Sequence, residues 1–301
     1  MATAFPDAQT RIRVYFPLWR TVFLTALLTW LYLPTLSRLF AQWMEDSDYS
    51  HGFFVPLFSF YVVWQRRVQL SQLLPQPSWA GLPLLAFAMS VLILGQLGAE
   101  LFLARFSLLL TAAGVIVLFL GWSHFRAVLF PWAFLFLMIP IPAIIFNQIT
   151  FALQLVASRV AAATLALFGI PILQEGNLIH LPTLTLEVAE ACSGIRSLVT
   201  LLTLAIIYGY LMDRRLWVRW LLAVSSIPIA VVANSTRIIG TGILVQYWGA
   251  ARAQGYLHAL WGWIVFLVSL MLLYALQRLT RLTVPRHYAQ KQNPQKRIME
   301  S

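Results

Sequence analysis

The chain contains a single cysteine, Cys192, whose surroundings make it a candidate nucleophile. Two carboxylates, Glu187 and Glu190, come just before it, and a long apolar run begins just after it. If that run is a helix, the thiol lies at its N-terminus, where exposed N–H groups and the helix dipole favour the reactive thiolate. The alternative is that Cys192 is a small residue buried in a helix bundle.

Two further polar residues interrupt the apolar pattern later in the chain. Arg237 ends the stretch Asn234-Ser235-Thr236-Arg237, and His258 precedes the last apolar run. An arginine at membrane depth costs about 2.5–3.5 kcal/mol, so it should have a partner or a function. A cysteine, a histidine and an arginine together suit cysteine acyl transfer: the thiolate attacks a carbonyl, the histidine carries the proton and the arginine stabilises the oxyanion.

Each of these cations also has a structural interpretation. Arg237 could extend its side chain to the lipid headgroups, and His258 could be an interfacial polar residue. Arg196 lies one turn into the helix expected after the cysteine. Three interpretations of it stay open: a direct catalytic role, extension of its side chain to the headgroups, or an ion pair with Glu187 or Glu190. The supporting candidates are Arg196, Asn234, Glu187 and Glu190.

The composition indicates a polytopic membrane protein. The chain is 60% hydrophobic and 10% charged, with a mean hydropathy of +0.78, whereas ordinary soluble domains carry about 25% charge. The net charge of +11 is spread over the loops between apolar runs, so it reflects membrane topology and not a nucleic-acid partner. One cysteine excludes an internal disulfide, and neither a ligand-spaced histidine pair nor a phosphate-binding glycine loop is present, so we expect no metal and no cofactor.

The apolar runs predict an all-α fold with about eight transmembrane helices, since a helix needs about 20 residues to cross a bilayer. Residues 146–168 and 238–248 are expected to be interfacial pieces that do not cross. The alternation of polar and apolar residues over 183–188 and the turn signal Glu175-Gly176-Asn177 predict a small extramembrane β-hairpin or pair of strands in 171–189. The predicted spans are about 21–36, 53–64, 79–97, 101–120, 129–145, 193–211, 216–232 and 260–276.

Charge asymmetry orients these helices. We expect basic cytoplasmic tails at 1–18 and 278–301, flanking an integral membrane domain at 19–277, and a basic cytoplasmic loop containing Arg214, Arg215 and Arg219. With both termini inside, counting the crossings puts Cys192, the stretch ending at Arg237 and His258 at the outer face.

Three sequence blocks carry a resemblance to a known family. Cys192-Ser193-Gly194, Asn234-x-x-Arg237, and His258 with Gly262 resemble the signature blocks of the exosortase/archaeosortase family. Three upstream pieces are also similar: Asp48-Tyr49-Ser50-His51-Gly52 with Pro56, Ile139-Pro140-Ile141-Pro142, and Glu175-Gly176-Asn177. The resemblance covers roughly residues 20 to 280.

This resemblance implies a membrane-embedded cysteine peptidase or transpeptidase of the bacterial inner membrane, with its active site facing the periplasm. Its substrates would carry a PEP-CTERM-like sorting signal: a short Pro-Glu-Pro-like motif, one transmembrane helix and a basic tail. Cys192 matches the nucleophile, which forms a thioester that an acceptor resolves. Arg237 matches the catalytic arginine, and His258 matches the third member, in the role of general acid and base.

Two other functions fit parts of the sequence. In a transporter or exopolysaccharide-export component, Arg196, Arg237 and the proline-containing span at 129–145 would line a pathway. Against this, no inverted repeat is evident and the polar residues gather at one face. A lipid-modifying transferase would need a cluster of acidic metal ligands, which the sequence does not show.

Overall fold

The computed structural model describes residues 18–182, 185–187, 194–249 and 256–282. Residues 18, 20, 21, 186, 187, 248 and 256–259 are described by their backbone alone. Cys192, Glu190 and most of the two predicted cytoplasmic tails therefore lie outside the described residues, as do the side chains of Glu187 and His258.

The described chain is mostly helical, and it divides into two compact units. The N-terminal unit comprises Met1–Asp46 and Gly52–Pro140, and the C-terminal unit comprises Ser47–His51 and Ile141–Ser301. The helices are α1 Leu18–Glu45, α2 Phe54–Gln65, α3 Arg67–Gln72, α4 Gly81–Leu97, α5 Leu101–Phe119, α6 Trp122–Phe134, α7 Ala143–Leu167, α8 Ile195–Met212, α9 Leu216–Trp248 and α10 Tyr256–Leu282, with 3₁₀ segments at Ser47–Phe53 and Leu135–Met138.

Within the described residues, six helices are long and apolar enough to cross a membrane, and two shorter apolar helices accompany them. This confirms the predicted all-α polytopic membrane fold. The long helices are Val22–Glu45, Leu101–Phe119, Ala143–Leu167, Ile195–Met212, Leu216–Tyr247 and Leu260–Leu282, and the shorter ones are Gly81–Leu97 and Trp122–Met138.

Individual segments differ from the prediction. The expected span at 53–64 is the 12-residue helix α2, shorter than the roughly 20 residues that cross a bilayer. The segment expected to lie at the interface, 146–168, belongs to the 25-residue helix α7, which is long enough to cross.

The predicted break between 232 and 238 is wrong, because α9 continues through it as one helix of 33 residues. The short polar residues that suggested a break are accommodated inside the helix. Ser235 and Thr236 donate their hydroxyl hydrogens to the carbonyls of Val231 and Val232 at 2.9 Å each. A hydroxyl that bonds the preceding turn does not have to leave the helix, so the polar stretch does not end it.

The N-terminal unit is built on close helix pairs. In the hairpin of α4 and α5, a Cβ at Gly95 would lie 2.6 Å from the backbone nitrogen of Ala104, so only glycine permits this approach. Tyr32 of α1 is fully buried, and its hydroxyl lies 3.1 Å from Ser107 Oγ and 2.7 Å from Thr111 Oγ1 of α5. A polar tyrosine tip is thereby hydrogen-bonded within an apolar contact.

The C-terminal unit contains the only sheet in the described part of the chain, three short antiparallel strands in the order β1-β2-β3. β1 Leu173–Glu175 and β2 Leu178–His180 form a hairpin, in which Gly176 adopts φ +63° at the turn. This confirms the hairpin predicted from Glu175-Gly176-Asn177. β3 Thr185–Glu187 adds a third strand by pairing with β2.

Two apolar cores hold the C-terminal unit together. The first packs the sheet, through Ile179, against Ala161 of α7 and Ile238 of α9. The second packs Leu201 of α8 against Leu222 of α9 and joins α10 to both. Helix α9 therefore contributes to both cores, and α8, α9 and α10 form one bundle.

Candidate functional site

The first element of the site is the start of α8. Gly194 is the N-cap residue and has φ +59°, a conformation that side-chain-bearing residues rarely adopt. A Cβ at this position would lie 3.2 Å from the amide nitrogen of Asn234 on α9. Because Cys192 precedes Gly194 by two residues, the helix start expected directly after the cysteine is confirmed to within two residues.

The second element is the middle of α9, which carries Asn234 and Arg237 one turn apart. Asn234 is only 5% exposed. The guanidinium of Arg237 lies against Gly262 of α10, where a Cβ would be 3.3 Å from both Cζ and Nε. Helix α10 can thus pass close to the arginine because position 262 has no side chain.

The third element is the first turn of α10. The last helix was expected to start near residue 260, but it begins at Tyr256, so position 258 is inside it. Positions 258 and 262 are four residues apart and share one helix face. Position 258 therefore lies one turn from the residue that contacts Arg237.

These three helices enclose a small cavity of about 20 Å³ next to Arg237. Its polar lining consists of one amide, one guanidinium and two hydroxyls. Ser197 of α8 and Ser269 of α10 were not singled out from the sequence, because isolated serines in apolar helices carry no motif. The lining residues are Ser197, Leu201, Ala230, Ala233, Asn234, Arg237, Gly262, Val265, Phe266 and Ser269.

Arg196 has a partner that its sequence neighbours did not suggest. Its Nε donates to Asp48 Oδ1 at 2.7 Å, with 49% of the Arg196 side chain and 18% of the Asp48 side chain exposed. Tyr49, beside Asp48, packs its ring on Phe146 of α7 at 5.7 Å. The expected partners were Glu187 or Glu190; the signal that could have pointed to Asp48 is its place in the block Asp48-Tyr49-Ser50-His51-Gly52.

A charged cluster fixes the opposite end of α8. Asp213 accepts hydrogen bonds from Arg215 Nε at 3.0 Å and Nη2 at 2.8 Å, and Arg219 Nε donates to the Asp213 carbonyl at 2.7 Å. The hydrogen bond from Arg215 lowers the pKa of the Asp213 carboxyl below its usual value. This turn connects the end of α8 to the start of α9.

The described residues contain no group of three His, Cys, Asp or Glu side chains that could hold a metal ion. The polar groups that the structure does bring together are the amide, guanidinium and hydroxyls around the cavity. Such groups bind oxygen atoms and negative charge through N–H and O–H donors.

The chain matches the family described as transmembrane exosortase (Exosortase_EpsH) over residues 43–275, more than three quarters of its 301 residues. The protein belongs to the transmembrane exosortase family. The exosortase match includes Cys192, Arg237 and His258, together with the whole of α8 and α9. Exosortases are membrane-embedded sorting transpeptidases, which agrees with the multi-pass helical fold. No curated protein and no solved structure matches the chain.

Proposed function

We propose that this exosortase cleaves membrane proteins that end in a C-terminal sorting signal and passes the cleaved chain to an acceptor, with Cys192 as its nucleophile. Membership of the family supports a sorting transpeptidase in general. The nucleophile, the catalytic arginine Arg237 and the general acid–base His258 are our assignment to residues of this chain.

One observation carries the proposal: three blocks far apart in sequence meet at one place in the C-terminal unit. Gly194, two residues after Cys192, lies against Asn234, and Gly262, four residues after His258, lies against Arg237. Glycine at both contacts allows the close packing around the Asn234–Arg237 turn. An acyl-transfer site needs its nucleophile, cation and proton carrier to lie close together, and these two contacts support such an arrangement.

The proposed chemistry proceeds in two steps. The Cys192 thiolate attacks the scissile carbonyl, the C–N bond breaks, and His258 donates a proton to the departing amine, which leaves a thioester on Cys192. An acceptor amine or water then attacks the thioester, its proton passes to His258, and the C–S bond breaks to release the Cys192 thiolate. In both steps Arg237 stabilises the negative oxygen of the tetrahedral intermediate, a role commonly worth about 10²–10³-fold in rate.

Arg196 has a supporting role in this proposal. Its ion pair with Asp48 holds the 3₁₀ segment against the first turn of α8, close to the nucleophile in sequence. Glu187 ends β3 five residues before Cys192, and it and Glu190 are further candidates to support the loop that carries the thiol.

The proposed location is the bacterial inner membrane, with both termini in the cytoplasm and the site facing the periplasm. Helix α8 has 18 residues and is therefore about 27 Å long, close to the thickness of a bilayer core. Gly194 is at one end of it, and Arg214, Arg215 and Arg219 cluster beyond the other. Since arginines concentrate on the cytoplasmic side, this separation supports a site at the outer face.

The substrate of this proposal is a membrane protein with a Pro-Glu-Pro-like motif, a transmembrane helix and a basic tail. With its basic tail inside, such a helix presents its motif at the outer face. A membrane-impermeant maleimide tests the orientation in intact cells that carry a second, cytoplasmic cysteine as a control. Labelling of Cys192 only after the inner membrane is permeabilised would refute the proposed orientation.

Co-expression with a tagged substrate tests the function itself. We expect Cys192→Ala, Arg237→Ala and His258→Ala each to abolish or severely reduce the release of the sorting signal. Arg278→Ala is the matched control, because this exposed arginine of α10 bonds only its own helix neighbour Tyr274 among the interactions described. Normal processing by Cys192→Ala would refute the proposal and favour a transport role.

A further inference from the structure

The cavity between α8, α9 and α10 has the size and lining of a site for one water molecule. Its volume is about 20 Å³, and a single buried water needs about 10–15 Å³ on the same measure. Cavities that stay empty are lined by apolar atoms, whereas this one presents four polar side chains, those of Ser197, Asn234, Arg237 and Ser269.

Asn234 is the residue that most requires such a water. It is 95% buried, and no hydrogen bond joins its side-chain amide to another described residue. A buried amide without a partner costs about 1–3 kcal/mol, so nearly all such groups in folded proteins are hydrogen-bonded to protein or to water.

The other lining groups complete the hydrogen-bond set. The Ser269 hydroxyl donates to the Val265 carbonyl at 2.8 Å and keeps its lone pairs to accept. The guanidinium of Arg237 carries five N–H donors. A water in the cavity can accept from Asn234 and Arg237 and donate to the serine oxygens, which gives it the two to four partners that buried waters usually have.

We propose that this cavity binds one structural water and that Asn234, through it, is a positioning residue for Arg237. In this proposal, which rests on the proposed function, Asn234 makes no contact with the substrate. The water fills the space on one side of the guanidinium while Gly262 bounds another, so that the arginine is held in one orientation before the substrate arrives. Pre-orientation of this kind lowers the cost of stabilising the oxyanion.

The water itself can be observed without any assay of activity. The structure of the full-length protein in lipid nanodiscs can be determined at a resolution that shows other buried waters. It should show a density peak within hydrogen-bonding distance of Asn234, Arg237 and at least one of the two serines. An empty cavity with these side chains well ordered would overturn the proposed site.

Substitutions test the positioning role. Ser269→Ala removes one hydroxyl from the cavity, and we expect processing to fall about fivefold, the effect of one lost hydrogen bond. Ser226→Ala is a matched control, because Ser226 is also buried in a helix and bonds its own backbone, to the Ala223 carbonyl at 2.7 Å, but does not line the cavity. It should process normally.

Asn234→Leu keeps the side-chain size but removes the hydrogen bonds that this residue makes with the water. We expect about a 10- to 100-fold loss in kcat with little change in KM. Asn234→Asp, whose carboxylate can accept a hydrogen bond from the water in place of the one that Asn234 donates, should retain more activity than Asn234→Leu at equal folded amounts. If both variants and Ser269→Ala process like Ser226→Ala while Cys192→Ala is inactive, the positioning role is overturned and the proposed function survives. If Cys192→Ala is active, the function fails, and the density alone decides the water site.

Discussion

Gly262→Ala is the sharpest test of the geometry around Arg237. The added Cβ would lie 3.3 Å from Cζ and Nε of Arg237 and 3.5 Å from Nη2. Comfortable contacts between such atoms are about 3.5–4.0 Å, so the guanidinium must move away by a few tenths of an ångström. The substitution leaves the charge of the arginine and the helical backbone of α10 unchanged.

The size of the effect follows from that displacement. A misplacement of about 1 Å in an active site can cost about 10²-fold in rate. On the same logarithmic scale a shift of 0.3–0.5 Å costs about 4- to 10-fold. We therefore expect Gly262→Ala to reduce processing of a tagged substrate by about that factor, measured as the rate of release of the sorting signal.

Gly209→Ala supplies the matched control. Gly209 is also a glycine at a helix contact of the C-terminal unit, and its Cβ would lie at the same 3.3 Å from Arg219 Cα. It is near the opposite end of α8 from Gly194, far along the helix from the site. Both substitutions favour the helix by about 0.5–1 kcal/mol relative to glycine. If Gly262→Ala and Gly209→Ala process substrate at the same rate and unfold at the same temperature, the close packing at Arg237 has no catalytic importance.

Three further predictions concern stability. Asp213→Asn should lower the free energy of unfolding in detergent by about 1–3 kcal/mol at pH 7. Because the pKa of Asp213 is depressed in the folded protein, its carboxylate stabilises the fold above about pH 4, and this stabilisation is lost as the pH falls through the folded pKa. If the difference in unfolding free energy between the variant and wild type does not narrow in acid, the Asp213–Arg215 interaction is not its cause. Gly194→Ala should lower the free energy of unfolding by about 1–3 kcal/mol, because alanine is strained at a φ of +59° and its Cβ crowds Asn234. A thermal unfolding midpoint equal to that of wild type would contradict this. A double-mutant cycle of Asp48→Ala and Arg196→Ala should give a coupling of about 0.2–1 kcal/mol, since half of the Arg196 side chain is exposed; a value near 3 kcal/mol would indicate a buried pair.

Local signals predicted the local structure well. The turn at Glu175-Gly176-Asn177 and the helix start after Cys192 both depend on neighbouring residues, and both are present. The break predicted at Asn234-Ser235-Thr236 failed because hydropathy does not record that a hydroxyl can bond the preceding helical turn.

Contacts between residues far apart in the chain could not be predicted from the sequence. Asp48 and Arg196 are 148 positions apart, so proximity along the chain pointed to Glu187 and Glu190 as partners and gave no sign of Asp48. The role of Gly262 as a surface for Arg237 is likewise visible only when α9 and α10 are packed together. The family signature blocks include residues that lie around this cavity, while the cavity and its two serines could not be predicted from the sequence.

The length of α9 has a consequence for where the arginine can reside. Arg237 comes 21 residues after Leu216, which corresponds to a rise of about 32 Å, close to the thickness of a bilayer core. The remaining 11 residues to Trp248 rise a further 16 Å or so and pack, through Ile238 and Val245, with α7 and the sheet. One continuous helix therefore carries both the arginine and the residues that contact the sheet, so a movement of α9 along its axis would shift both together.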